Sequence, residues 1–171
     1  MSGHSNKWTG RFMHLAQHIS NWSKDPRTKV GAVIVADGNK IVSLGYNGLP
    51  AHIPFEEQYL FDREMKNAMT IHAEANAIAF AMGRASGCAM YVTHPPCSQC
   101  AAMIIQSGIK GVCAARSPEM ESGTIWSKSI ALAQDMFAAA GVEFYWYKEP
   151  LTFESMEKSG KESDAWFERK A

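Results

Sequence analysis

Two short clusters in this chain carry side chains suited to metal chemistry: His72 and Glu74 in Ile71-His-Ala-Glu, and Cys97 and Cys100 in Pro96-Cys-Ser-Gln-Cys. Two cysteines three positions apart at the head of a helix turn their sulfurs toward one point. The helix N-terminus favours the thiolate form that binds metal. Imidazole and thiolate donors suit Zn²⁺, and three protein ligands leave the fourth tetrahedral position to water, the arrangement of a catalytic centre rather than a structural one. Glu74 follows His72 by two residues, so in the first turn of a helix it stands beside that water without binding the metal, placed to move protons. A redox pair is the competing reading of a lone Cys-x-x-Cys, but a thioredoxin-like context lacks the upstream His-x-Glu. A lone His72 on an apolar helix would be a core residue; the two cysteines change that reading. Cys88 and Cys113 lie beside or within short apolar runs and read as inert core thiols.

The elements that must bring these clusters together are legible in the periodicity. From Thr9, a plausible cap, apolar residues recur at Phe12, Leu15, Ala16, Ile19 and Trp22, which predicts a helix ending near Asp25-Pro26. Residues 30–36 and 41–46 are β-rich and joined by Asp37-Gly38, a hairpin. Residues 47–70, with Gly48, Pro50 and Pro54, predict a long surface loop holding one short helix around 55–63. Helices follow at 72–82, 97–107 and 127–140, the second opened by Pro95-Pro96 and the third closed by Gly141, with strands at 89–93, 111–115 and 142–146. A hairpin followed by repeated strand–helix–strand units predicts a three-layer α/β/α domain around a mixed five-stranded sheet, parallel in its later part. Consecutive helices of such a sheet start at one edge, so the two clusters meet there. The domain is expected to span 7–147, with 148–171 a charged tail, helical or mobile.

Composition narrows the partners. The chain has 171 residues, 46% of them hydrophobic, enough for one compact domain with a full core. Seventeen basic and seventeen acidic residues cancel, so the basic footprint of a nucleic-acid binder is missing. A core of this size needs no disulfide staples, which points the four cysteines to a reducing compartment. With no charged-then-apolar leader and no run of about 18 apolar residues, a membrane role is not expected and a cytoplasmic location is.

The order His-x-Glu followed by Pro-Cys-x-x-Cys is a known signature of zinc deaminases acting on nucleobases. Further segments sharpen the likeness: Ser23-Lys-Asp-Pro-Arg-Thr-Lys-Val-Gly-Ala-Val-Ile-Val35, Gly45-Tyr-Asn-Gly-Leu-Pro50, Ile71-His-Ala-Glu-Ala-Asn-Ala-Ile78, Met90-Tyr-Val-Thr93 and residues 96–108. On these the chain resembles the cytidine deaminase superfamily, and more narrowly the deoxycytidylate (dCMP) deaminase family, over about residues 12–145. The resemblance implies hydrolytic deamination of dCMP to dUMP. One Zn²⁺ per subunit, held by His72, Cys97 and Cys100, would activate water for attack on C4 of the pyrimidine, with Glu74 shuttling protons. It further implies that Asn47 holds sugar or base, that the Ala73 N–H binds the pyrimidine carbonyl, and that the Pro95 carbonyl accepts the amino group. Ser23, Lys24, Arg27 and Thr28 would receive the phosphate, the bland alternative being a polar turn that ends the first helix. Many such proteins are homo-oligomers, hexamers or dimers, and some are regulated by dCTP and dTTP. Residues 51–57, Ala-His-Ile-Pro-Phe-Glu-Glu, lack the glycine and acidic pair of the regulated forms, and His52 has no evident ligand partners. Other readings keep the zinc pattern: deamination of guanine, cytosine, cytidine, a modified dCMP or tRNA adenosine, or a catalytically silent nucleotide-binding module.

Overall fold

The computed structural model describes residues 6–53, 57–117, 120, 123, 126–152 and 167–169. Helix α1 (Asn6–Ser20) is followed by the hairpin β1 (Gly31–Ala36) and β2 (Lys40–Tyr46). Two short helices, α2 (Glu57–Phe61) and α3 (Arg63–Met69), lead to α4 (Ala73–Phe80). Strand β3 (Ala89–Val92), α5 (Ser98–Gln106), β4 (Gly111–Ala115), α6 (Ser127–Ala140) and β5 (Glu143–Tyr147) then alternate, and β6 (Phe167–Arg169) ends the described chain.

The strands form one sheet in the order β2-β1-β3-β4-β5-β6. β1 pairs antiparallel with β2 and β3, whereas β3, β4 and β5 run parallel, with Met90 opposite Val112 and Val112 opposite Phe144. The five expected strands are all present. The sixth, antiparallel to β5, comes from the tail, so Phe167 lies in a strand and not in a helix. Tail residues 153–166 and 170–171, and residues 54–56 of the long connection, lie outside the described residues.

Alternation along the strands sorts the core into two layers. Ala32, Ile34, Met90, Val92, Val112 and Ala114 face α4, α5 and α6, while Val33, Val35, Tyr91 and Cys113 face α1 through Phe12, Met13 and Ala16. Two glycines permit close helix–sheet approach. A Cβ on Gly31 would collide with the Ala16 carbonyl of α1, and one on Gly45 with the backbone of Ala73 and Ala77 in α4. Gly45 thus lets α4 lie directly on β2, and the N-terminus of that helix begins the functional site.

Three local expectations shift. The first helix starts at Asn6, so Thr9 is a buried residue inside it and not its cap. The connection 47–70 holds two helices where one was expected, because Asp62 caps α3 by accepting from the Met65 N–H at 2.9 Å. Its backbone is also tied down, Gly48 and Ile71 exchanging two bonds of 3.1 and 2.9 Å.

Candidate active site

His72 and Cys97 occupy equivalent places: each is the N-cap of its helix, with extended backbone and no side-chain bond to the helix start. Capping side chains normally satisfy the open N–H groups of the first turn. Here both are turned away toward each other. The His72 Nδ1 lies 3.6 Å from Cys97 Sγ and 3.3 Å from Cys100 Sγ. A tetrahedral Zn²⁺ with bonds of about 2.3 Å to sulfur and about 2.0 Å to nitrogen requires a nitrogen–sulfur separation of about 3.5 Å. The three donor atoms therefore fit that metal. They are the one His/Cys/Asp/Glu group among the described residues whose ligand atoms converge in this way.

The electrostatics suit a cation. The Cys100 thiol hydrogen-bonds to Cys97 and, against the cost of burial and with help from His72, draws the Cys97 thiol down to about 4. The same bond, with burial, pushes the Cys100 thiol up. A bound cation would favour the thiolate form of both cysteines. The Cys97 bond raises the His72 imidazole above its ordinary value, with burial opposing. Ser129 of α6 holds the head of α5 in place, its Oγ accepting the Ser98 N–H at 3.0 Å.

Glu74, in the first turn of α4, is 4% exposed and lines the same cavity as His72 and Cys97. Burial pushes its carboxyl above the ordinary value and the neighbouring His72 pulls it back. A carboxyl with so little solvent that lines the cavity is suited to exchanging protons with whatever occupies it. The cavity lies off the carboxyl ends of β3 and β4, through His94, Pro95 and Ser117, as sites in α/β sheets do.

Of the remaining residues anticipated from sequence, Ala73, Pro95, Asn47, Arg27 and Thr28 line this cavity, and Ser23 and Lys24 do not. Ser23 is turned inward: its Oγ donates to the Asn47 carbonyl at 2.7 Å and accepts the Asp25 N–H at 3.2 Å, so it braces the loop. Lys24 is exposed outside the cavity wall. Asn47 is buried and spends its amide on the same loop, accepting from the Val30 N–H at 2.8 Å and donating to the Thr28 carbonyl at 2.9 Å. It clamps the wall as well as lining it. His52 is exposed at φ 69° and stands outside the donor cluster.

The cavity also has walls that the sequence did not announce. Arg63, Lys66 and Asn67 come from α3, and Trp126 packs its ring edge-on to His72 with centroids 5.8 Å apart. The available signal was Arg63 and Lys66, two cations three apart within the long connection. Nothing in the spacing marked Trp126. Cys88 and Cys113 are buried apart from the cluster, and burial raises both thiols.

Comparison with known proteins gives this geometry a family. The model of the cytidine and deoxycytidylate deaminase zinc-binding region matches residues 6–116, a span that includes all three donors and Glu74. The chain belongs to that family. Within it, the chain is 46% identical over 142 residues to a protein of Aliivibrio fischeri named an uncharacterized deaminase in the luxG 3′ region, covering 82% of this chain and 94% of that one. It is 42% identical over 115 residues to the Homo sapiens deoxycytidylate deaminase, covering 62% of this chain and 63% of that enzyme. In structure it resembles the dCMP deaminase of cyanophage S-TIM5 crystallised with dCMP and dUMP, with a TM-score of 0.61 at 27% identity over 80% of this chain and 93% of that one. Zinc is the metal of this family's binding region, and the donor set here matches it.

Proposed function

We propose that this protein catalyses the hydrolytic deamination of dCMP to dUMP. The observation that carries the reading is a buried carboxylate, Glu74, sharing one cavity with His72 and Cys97 of a three-donor metal site and with the cations Arg27 and Arg63. One cavity thus offers donors for a metal, a carboxyl for proton transfer and cations for a phosphate.

His72, Cys97 and Cys100 hold the zinc, which when bound supplies Lewis-acid activation of water near neutral pH. Glu74 accepts the proton of the attacking water, delivers a proton to ring N3 and then assists the departing ammonia, so that one carboxyl serves both directions. The Ala73 N–H, an open donor at the head of α4, binds the pyrimidine carbonyl. The Pro95 carbonyl accepts from the amino group, Asn47 touches the sugar side, and Arg27 with Thr28 receives the phosphate. The relatives named deoxycytidylate deaminase and the cyanophage enzyme that binds dCMP and dUMP support this choice of substrate.

Residues 7–147 form the catalytic domain in this reading. Exposed Phe80 at the end of α4 and Met82 just beyond it, with the exposed Trp22–Tyr46 ring pair, support a homo-oligomer, dimer or hexamer. The four free cysteines support a cytoplasmic setting, and no helix among the described residues is long and apolar enough to cross a membrane. Zinc-loaded protein offered dCMP, deoxycytidine, cytidine, guanine and tRNA should release ammonia fastest from dCMP. Turnover of another of these with none of dCMP refutes the reading.

A further inference from the structure

Helix α3 buries one of its residues, and that residue is a lysine. Lys66 Nζ lies 2.8 Å from Asp25 Oδ2, the two side chains 8% and 6% exposed. The other oxygen of Asp25 accepts the backbone N–H groups of Arg27 and Thr28 at 2.8 and 3.1 Å. Burial alone would raise the Asp25 carboxyl, but the Lys66 bond and these two amides outweigh it and hold the group below its ordinary value. Asp25 is therefore the hub that sets the backbone of two cavity-lining residues, the ones proposed above to receive the phosphate, and Lys66 keeps the hub charged and in place.

Charge gives Lys66 a second effect. An unpaired carboxylate in this wall would repel a phosphate dianion. With Lys66 beside it, the wall residues Arg27, Arg63, Lys66 and Asp25 bring three cations against one anion, a surplus of two that matches a monophosphate. Lys66 is itself occupied by Asp25, so its influence on the substrate runs through the loop and the local field.

We infer that Lys66 is a positioning residue for the substrate's phosphate: acting through Asp25, it ties α3 to the 23–28 loop and makes the preference for a phosphorylated substrate depend on that bond. This rests on the dCMP reading above and adds to it the part played by α3. The test compares kcat/KM for dCMP and for deoxycytidine in the wild type, K66M, K66R and the charge-free pair D25N/K66M, with zinc content and melting temperature measured on each. K66M is expected to lower kcat/KM for dCMP by about tenfold or more, the scale of losing a hydrogen bond to a charged group, mostly through KM. Its kcat/KM for deoxycytidine should stay within about twofold to threefold, as no such bond reaches an unphosphorylated substrate. K66R should recover most of the preference. The double variant, which leaves no buried charge unpaired, should fold and still show the lost preference even where K66M is too unstable to assay. Equal losses on both substrates, or an unchanged ratio in the double variant, overturn the inference while the dCMP reading stands. A wild type that does not prefer dCMP overturns both.

Discussion

Replacing Gly45 by alanine should damage catalysis from outside the cavity. The added Cβ would lie under 3.0 Å from the Ala73 carbonyl oxygen and the Ala77 nitrogen and 2.9 Å from the Ala77 Cα, all backbone atoms of α4. Ordinary van der Waals contact starts at 3.4 Å, so α4 must retreat from β2 by about 1 Å. Overpacking of this kind costs about 1–3 kcal/mol, and each kcal/mol lowers the melting temperature of a domain this size by about 2–4 °C. The larger effect falls on function. α4 carries Glu74 and is capped by His72, while both cysteines belong to α5, so a shift of α4 alters the donor triangle and moves the carboxyl relative to it. Misplacement by about 1 Å can cost 10²-fold in rate. G45A should therefore lose about two orders of magnitude in kcat on dCMP and bind zinc more weakly, measured by ammonia release and by competition with a chelator. G48A is the control, since its Cβ would meet nothing closer than 3.9 Å. A G45A protein with wild-type kcat and zinc affinity would refute the argument that Gly45 sets the position of α4.

Glu74→Gln keeps the shape of the side chain and removes its proton chemistry. Zinc stoichiometry and melting temperature should hold while kcat falls by about 10⁴, the upper range for a positioned acid–base, because one group serves water and leaving amine alike; more than a tenth of wild-type activity would contradict its assignment. The Asp25–Lys66 pair should make stability depend on acid pH. Because the folded carboxyl is held below its ordinary value of 3.8, its contribution is fully present above that value and is lost as pH falls through the lowered one. D25N strands a buried lysine and should cost about 3 kcal/mol near neutrality. Urea denaturation across pH 2–7 should show the gap between wild type and D25N closing on the acid side; a constant gap would mean that the ion pair does not carry it.

Much of the fold was legible because its signals are local. The continuous β-rich apolar run 30–36, the Asp37-Gly38 turn and Gly141 past the last long helix each report a backbone preference within a few residues. The strand Phe167–Arg169 was not legible, since three residues carry no usable period and pair only because the edge of β5 is available. The helix Arg63–Met69 was hidden for a related reason: its burial pattern is inverted, with a lysine inside and Met65 outside.

The same division runs through the site. His72, Glu74, Cys97 and Cys100 could be nominated from sequence alone, because a metal-binding chemistry demands rare residue types at fixed short spacings. Ser23 and Lys24 were nominated with Arg27 and Thr28 but do not line the cavity, because a polar loop offers many donors and sequence does not say which way each one turns. Only the tertiary structure decided that Ser23 braces Asn47, that Lys66 reaches Asp25 across about forty positions, and that Trp126 closes against His72. Spacing determined what chemistry the chain can hold; the walls that choose its substrate come from segments far apart in sequence, and packing alone brings those together.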